Sequence, residues 1–176
     1  EKMYNTSSLE DFVNGSTFHR VLRKPLSREE KNKINRLVLC SGKIYFELQD
    51  HIDELKLDNI HIIRMEQLYP FPYEALEEEI IDFKSCEMIW CQEEPKNMGA
   101  WQFVQERVLS VVQKVTGKRE LHFIGRRAAA SPATGVFDRH LSNQKNIVRL
   151  ATEANLDEIK KEKSGVSLVK YKLPIE

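Results

Sequence analysis

From residue 36 onward, short apolar runs alternate with longer amphipathic stretches. Residues 36–40, RLVLC, are an unbroken apolar run ending at Ser41-Gly42, the pattern of a buried strand followed by a turn. Ile44, Leu48, Ile52 and Leu55 then recur at helical spacing. The pattern repeats three times. IHIIRM at 60–65 predicts a strand, and Tyr73, Leu76, Ile80 and Phe83 mark a helix with Pro72 near its first turn, where proline is tolerated. EMIWC at 87–91 predicts a strand before a helix carrying Trp101, Val104, Val108, Val112 and Val115, closed by Gly117. ELHFI at 120–124 and a helix lined by Phe137, Leu141, Gln144, Val148 and Ala151 complete the series.

Strands alternating with helices of this length imply βαβ units with right-handed crossovers. The expected fold is therefore α/β, a three-layer α/β/α sandwich on a mostly parallel sheet, over residues 36–152. Residues 1–35 read as a lead-in or linker. Within it Thr17–Leu22 form a short extended piece, and the charge-rich stretch after Pro25 reads as loop. Residues 153–176 read as a variable charged tail: a helix extension and linker, then a short strand-like segment.

An open parallel sheet binds ligands at the carboxyl ends of its strands, where loops converge with helix N-termini. Four loops fall at that edge: Ser41-Gly42-Lys43, residues 66–72, residues 92–98 and residues 125–135. Lys43 at a helix start reads either as an anion contact or as a solvated lysine in a tight turn. It is not part of a P-loop, whose glycine spacing is missing. Arg126 and Arg127, in GRRAAASPATG, read either as a phosphate or carboxylate site near a helix N-terminus or as arginines paired with carboxylates. Glu93 and Glu94 are the expected partners. Being adjacent, the two glutamates point to opposite faces of an extended strand, which disfavours a shared acid/base role. Asn97 and Thr134 are expected to cap the helices that follow them. Gln67, Gln92 and Ser131 join these residues as loop-structuring or interface positions. The five histidines lack metal-ligand spacing, and no nucleophile elbow is present.

The segments RLVLCSGKIYFEL, IIRMEQLYPFPYEAL, EMIWCQEEPKNMGAWQFVQERV and FIGRRAAASPATGVFDRHLSNQ, in this order, closely resemble the C-terminal region of the decarboxylating first component of 2-oxoglutarate dehydrogenase. The resemblance runs from about residue 8 to 152. It implies a transketolase C-terminal-like domain of a thiamine-diphosphate- and magnesium-dependent homodimer. The parent enzyme decarboxylates 2-oxoglutarate and succinylates the lipoyl group of the dihydrolipoyl succinyltransferase component, within a multienzyme complex of the citric acid cycle. The cofactor is expected outside this segment, between the preceding domains, and its GDG motif does not occur in the sequence. The resemblance thus implies an isolated chain without decarboxylase activity, binding no cofactor alone, whose partners are the preceding domains and a second subunit. Some relatives bind a nucleotide-type effector around this domain. Arg20, Lys43, Arg126 and Arg127 are the candidates for such an anion site. The QEEPKN wording argues against a transketolase-type enzyme acting on another 2-oxo acid. The alternative reading is a stand-alone, non-catalytic regulatory module that binds an anion or a subunit. Residues 153–176 have no counterpart in the family pattern.

Composition adds exclusions. Lys+Arg and Asp+Glu both number 27, so zero net charge offers no bulk attraction to nucleic acid or an acidic membrane. No apolar run approaches the roughly 20 residues of a membrane span, and no signal segment opens the sequence. Three cysteines without metal spacing suit a reducing compartment. The expected location is a bacterial cytoplasm, or the mitochondrial matrix in a eukaryote. Glu1 in place of an initiator Met predicts a fragment of something longer.

Overall fold

The structure is a computed structural model that describes residues 9–132, 134–153 and 165–172. A six-stranded sheet forms its centre, in the order β1-β3-β2-β4-β5-β6. The strands are β1 (Val21–Arg23), β2 (Arg36–Cys40), β3 (Ile60–Met65), β4 (Glu87–Pro95), β5 (Glu120–Arg126) and β6 (Val166–Lys172). The four inner strands run parallel, as the alternation predicts. Both outer strands run antiparallel, so the sheet is mixed.

Four long helices cover the two faces: α2 (Ile44–Leu55) and α5 (Phe137–Thr152) on one, α3 (Tyr73–Ile80) and α4 (Trp101–Thr116) on the other. Because strand side chains alternate, β2 sends Val38 and Cys40 to the α2/α5 core, and Leu37 and Leu39 to the α3/α4 core. Trp90, Trp101 and Phe123 dominate the second core, with Trp101 and Phe123 ring centroids 4.8 Å apart. Gly117 ends α4 in the left-handed conformation at φ 73°.

The stretch after Pro25 is not plain loop. Residues Arg28–Lys33 form α1, whose capping box joins Ser27 and Glu30 reciprocally. The helix buries none of its residues, so no apolar period announces it. Leu9–Phe12 form a short 3-10 turn, and Ile81–Phe83 another after α3. Beyond the βα series, β6 lies along the whole of β5, from Glu120↔Lys172 to Arg126↔Val166. The expected helix extension after residue 153 lies outside the described residues.

Candidate functional site

The carboxyl edge of the sheet is held together by one amide. Gln92, 3% exposed, continues β4 past its apolar run. Its Oε1 accepts from the backbone N–H of Trp101 at 3.0 Å and from Trp90 Nε1 at 3.1 Å. Its Nε2 donates to the carbonyls of Met98 at 2.8 Å and Pro95 at 3.2 Å. Gln92 thereby satisfies an N–H at the start of α4 that no side chain beside the helix reaches. Gly99 allows this closeness: a Cβ there would meet Gln92 Nε2 at 3.0 Å, and its φ of 66° already favours glycine.

Asn97 is not the cap of α4. The capping position is Ala100, which makes no side-chain cap bond. Asn97 instead bridges two loops: its Nδ2 donates to Ala129 O at 2.9 Å, and its Oδ1 accepts from Ala129 N at 3.1 Å. Asn97 lies too far ahead of the helix to reach its first turn, and the pair with Ala129 occupies its amide. Thr134 is likewise not the cap of α5, which begins after Val136. Its Oγ1 is buried without a partner among the described residues.

The glutamates diverge, as adjacency on an extended strand requires. Glu93 faces the α2/α5 side, and Glu94 lies against Gly99 on the other. Neither pairs with the arginines as expected. Glu93 meets Lys43 Nζ at 3.1 Å, and the same ammonium bonds Glu47 at 2.9 Å. The reason is register: β2 neighbours β4 with Cys40 opposite Cys91, so the turn after β2 brings Lys43 beside Glu93. The hydrogen bond to Glu47, helped by Glu93 and opposed by burial, raises the Lys43 pKa above the ordinary lysine value.

Arg126, 7% exposed, points toward α5. Its Nη2 lies 3.0 Å from His140 Nδ1 and 3.3 Å from Gln144 Oε1. With the guanidinium donating, His140 Nδ1 is the bare, accepting nitrogen. Arg126 Nε is buried without a partner among the described residues. Gln144 links the two halves of the cluster, its Nε2 donating to Glu47 at 2.8 Å and to Glu93 at 3.4 Å. A continuous polar chain therefore runs Lys43–Glu47/Glu93–Gln144–Arg126–His140. Glu47, His140 and Gln144 were not among the expected site residues. In the sequence Gln144 reads only as part of an apolar helix stripe.

The remaining candidates lie apart. Arg127 is exposed, and its backbone N–H donates to Gly165 O at 3.2 Å. Arg20 is exposed at the far end of the edge, where its carbonyl accepts from the backbones of Glu66 and Gln67. Four strand spacings, about 19 Å in total, separate β1 from β5. Gln67 Nε2 closes its loop onto Pro70 O at 2.7 Å, across a cis Tyr69-Pro70 bond. Ser131 is exposed on the loop before α5.

Exposed apolar side chains occur at two separate places along this edge, after β3 and at the start of α5. Tyr69 is 82% exposed, and Val136, Phe137 and Leu141 at the start of α5 are 57%, 71% and 42% exposed. Thiol chemistry has no foothold here: burial pushes Cys40 up to about 12 and Cys91 well above its ordinary value. Among the described residues no group of three His, Cys, Asp or Glu side chains could hold a metal, and none of the helices is long and apolar enough to cross a membrane.

Residues 6–152 match the family described as 2-oxoglutarate dehydrogenase C-terminal. The chain is 42% identical over 145 residues to a 2-oxoglutarate dehydrogenase E1 component of Brucella abortus, and 41% identical to those of Brucella anthropi and Brucella ovis. Each alignment covers 77% of this chain but only 14% of the relative. The diverging glutamates, the Gln92-centred turn and the arginine-bearing loop before α5 thus belong to a region shared with those enzymes, and the chain is a member of the 2-oxoglutarate dehydrogenase C-terminal family.

Proposed function

We propose that this chain acts as the C-terminal domain of a 2-oxoglutarate dehydrogenase first component, buttressing the preceding domains and a second subunit of a homodimer. The carrying observation is the exposed apolar set Val136, Phe137 and Leu141 at the start of α5, at the carboxyl edge. Large apolar groups gathered on one edge suit an interface better than open water. In this reading thiamine diphosphate and magnesium belong to the preceding domains. The domain shapes and rigidifies an oxidoreductase that decarboxylates 2-oxoglutarate and passes succinyl groups to the succinyltransferase component of the citric acid cycle complex. Such an enzyme works in the bacterial cytoplasm.

Complementation tests this. A Brucella E1 component lacking its matching C-terminal region is co-expressed with this chain, and decarboxylation of 2-oxoglutarate is measured. Restoration by the native chain, and not by a Val136→Ser, Phe137→Ser variant, is expected. Equal restoration by both refutes the docking edge. Turnover by this chain alone, with thiamine diphosphate and magnesium added, refutes the buttressing role.

The same edge supports an anion site, now narrowed. Lys43 is neutralised by Glu47 and Glu93, and Arg20 lies too distant to share a ligand with β5. Arg126 remains. Among the described residues no carboxylate is a hydrogen-bond partner of it, and His140 stands beside it at the start of α5, with exposed Arg127 adjacent in sequence. Calorimetry with AMP or acetyl-CoA, comparing the native chain with Arg126→Ala, Arg127→Ala, tests it. Equal heats remove both arginines from the site.

A further inference from the structure

A cleft of about 190 Å³ opens on the α3/α4 side of the sheet, between the start of α4 and β6. Three parts of the chain build it. The turn that ends β4 supplies Lys96 and Asn97, α4 supplies Trp101, Gln102 and Gln105, and β6 supplies Tyr171. The family match ends at residue 152, so Tyr171 is a wall that this chain adds outside the shared region. β6 is well placed to present it. The strand pairs with β5 at every position from Glu120↔Lys172 to Arg126↔Val166, and Lys170 and Lys172 meet Glu120 at 2.6 and 2.8 Å.

The lining combines one charge, two amides and two rings. Trp101 and Tyr171 form an aromatic corner, with centroids 4.8 Å apart and planes at 63°. Trp101 is buried and makes the floor, while Tyr171 is half-buried and makes a wall. Lys96 Nζ stands 5.3 Å from the Tyr171 ring centre, a cation–π contact that holds the ammonium beside the cleft. Among the described residues no carboxylate lines the cleft. Gln102 and Gln105, three positions apart on α4, share a helix face. Asn97 is already bonded to Ala129, but among the described residues neither glutamine amide has a hydrogen-bond partner.

Size and charge narrow the ligand. A cleft of 190 Å³ holds about six waters at liquid density. It falls below the roughly 300–1,000 Å³ of pockets for drug-sized ligands and cofactors, which excludes a nucleotide. One ammonium without an arginine fork matches a single carboxylate better than a phosphate. The aromatic corner matches one flat ring. Amides that both donate and accept match a hydroxyl. We propose that this cleft is a binding site for a one-ring aromatic monocarboxylate. Lys96 takes the carboxylate, Trp101 and Tyr171 take the ring, and Gln102 and Gln105 take a ring hydroxyl. The cleft is separate from the Arg126 cluster, which faces α5 on the other side of the sheet, and neither site depends on the other.

The full-length chain, isotope-labelled, is titrated with para-hydroxybenzoate and separately with its neutral amide, para-hydroxybenzamide, and followed by backbone amide NMR shifts. Saturable shifts at residues 96–105 and at Tyr171 are expected with the acid at millimolar concentrations. The amide lacks the charge that Lys96 meets and is expected to bind about tenfold more weakly. Lys96→Met keeps the stem without the charge and is expected to abolish that preference, and Lys96→Arg to keep it. Tyr171→Leu is expected to weaken acid and amide alike. Absence of saturable shifts at these positions with either ligand overturns the proposal. So does equal binding of acid and amide by the native chain, or a preference for the acid that survives Lys96→Met.

Discussion

Replacing Gln92 by Leu tests whether one amide organises the loop from β4 into α4. The substitution keeps an apolar side chain of similar reach in the buried slot but removes both hydrogen-bonding ends. Two buried donors then lose their acceptor, the Trp101 backbone N–H and Trp90 Nε1. The carbonyls of Met98 and Pro95 lose a donor, and the first of these bonds is only partly buried. A buried polar group left unpaired costs about 1–3 kcal/mol. Two orphaned donors therefore set the loss at roughly 2–6 kcal/mol, the carbonyls adding little because water can reach the loop. That is a large share of the approximately 5–15 kcal/mol that holds a domain of this size. Urea denaturation read by tryptophan fluorescence suits the question, because Trp90 and Trp101 are both ends of the network. The midpoint is expected to fall with the slope unchanged. A loss under about 1 kcal/mol would show that the turn is held by backbone and packing alone, and would refute the central role given to Gln92.

Three further outcomes follow from the same geometry. His61 is buried against Phe83, and burial, reinforced by Arg23, Lys24 and Lys31, pushes its pKa down to about 4. Its contribution is fully present above about pH 6.5 and is lost as pH falls toward 4, by up to about 3 kcal/mol; a His61→Phe variant should show a flatter thermal midpoint across that window, and an unchanged slope refutes this. Hydrogen bonds from Lys170 and then Lys172 hold Glu120 down at about 2. The β6 clasp is therefore present above the ordinary carboxylate range and fails as pH falls from about 4.5 to 2; Glu120→Gln should remove that dependence from amide exchange in β6. Asn97→Ala breaks the paired bonds to Ala129 and should cost about 1 kcal/mol, with faster amide exchange at Ala129 as the specific readout and no change at Trp101.

The elements visible in the sequence are those whose apolar residues repeat. The four long helices bury one face each and the inner strands bury both, so helical periodicity finds the first and unbroken apolar runs the second. α1 buries nothing and leaves no such trace; its only mark in the sequence is the Ser27…Glu30 capping pair. β4 runs on to Pro95 through polar residues because Gln92 can be buried once its amide is fully bonded, a condition that depends on residues up to nine positions away. The same distance defeats the capping assignment. Local rules look for an acceptor just ahead of the helix and settle on Asn97, the nearest capping residue type, whereas the acceptor comes from the preceding strand. Glu93 and Glu94 fall on opposite faces because alternation along the strand alone requires it. Which cation Glu93 meets depends on strand order, and an alternating pattern does not specify whether β2 or β5 presents its basic residue to that face. Both β2 and β5 flank β4; the turn into α2 delivers Lys43 to Glu93, and Arg126 turns to His140 and Gln144 instead. Among the described residues, the partners that topology gives Arg126 are therefore a ring nitrogen and an amide oxygen rather than a carboxylate.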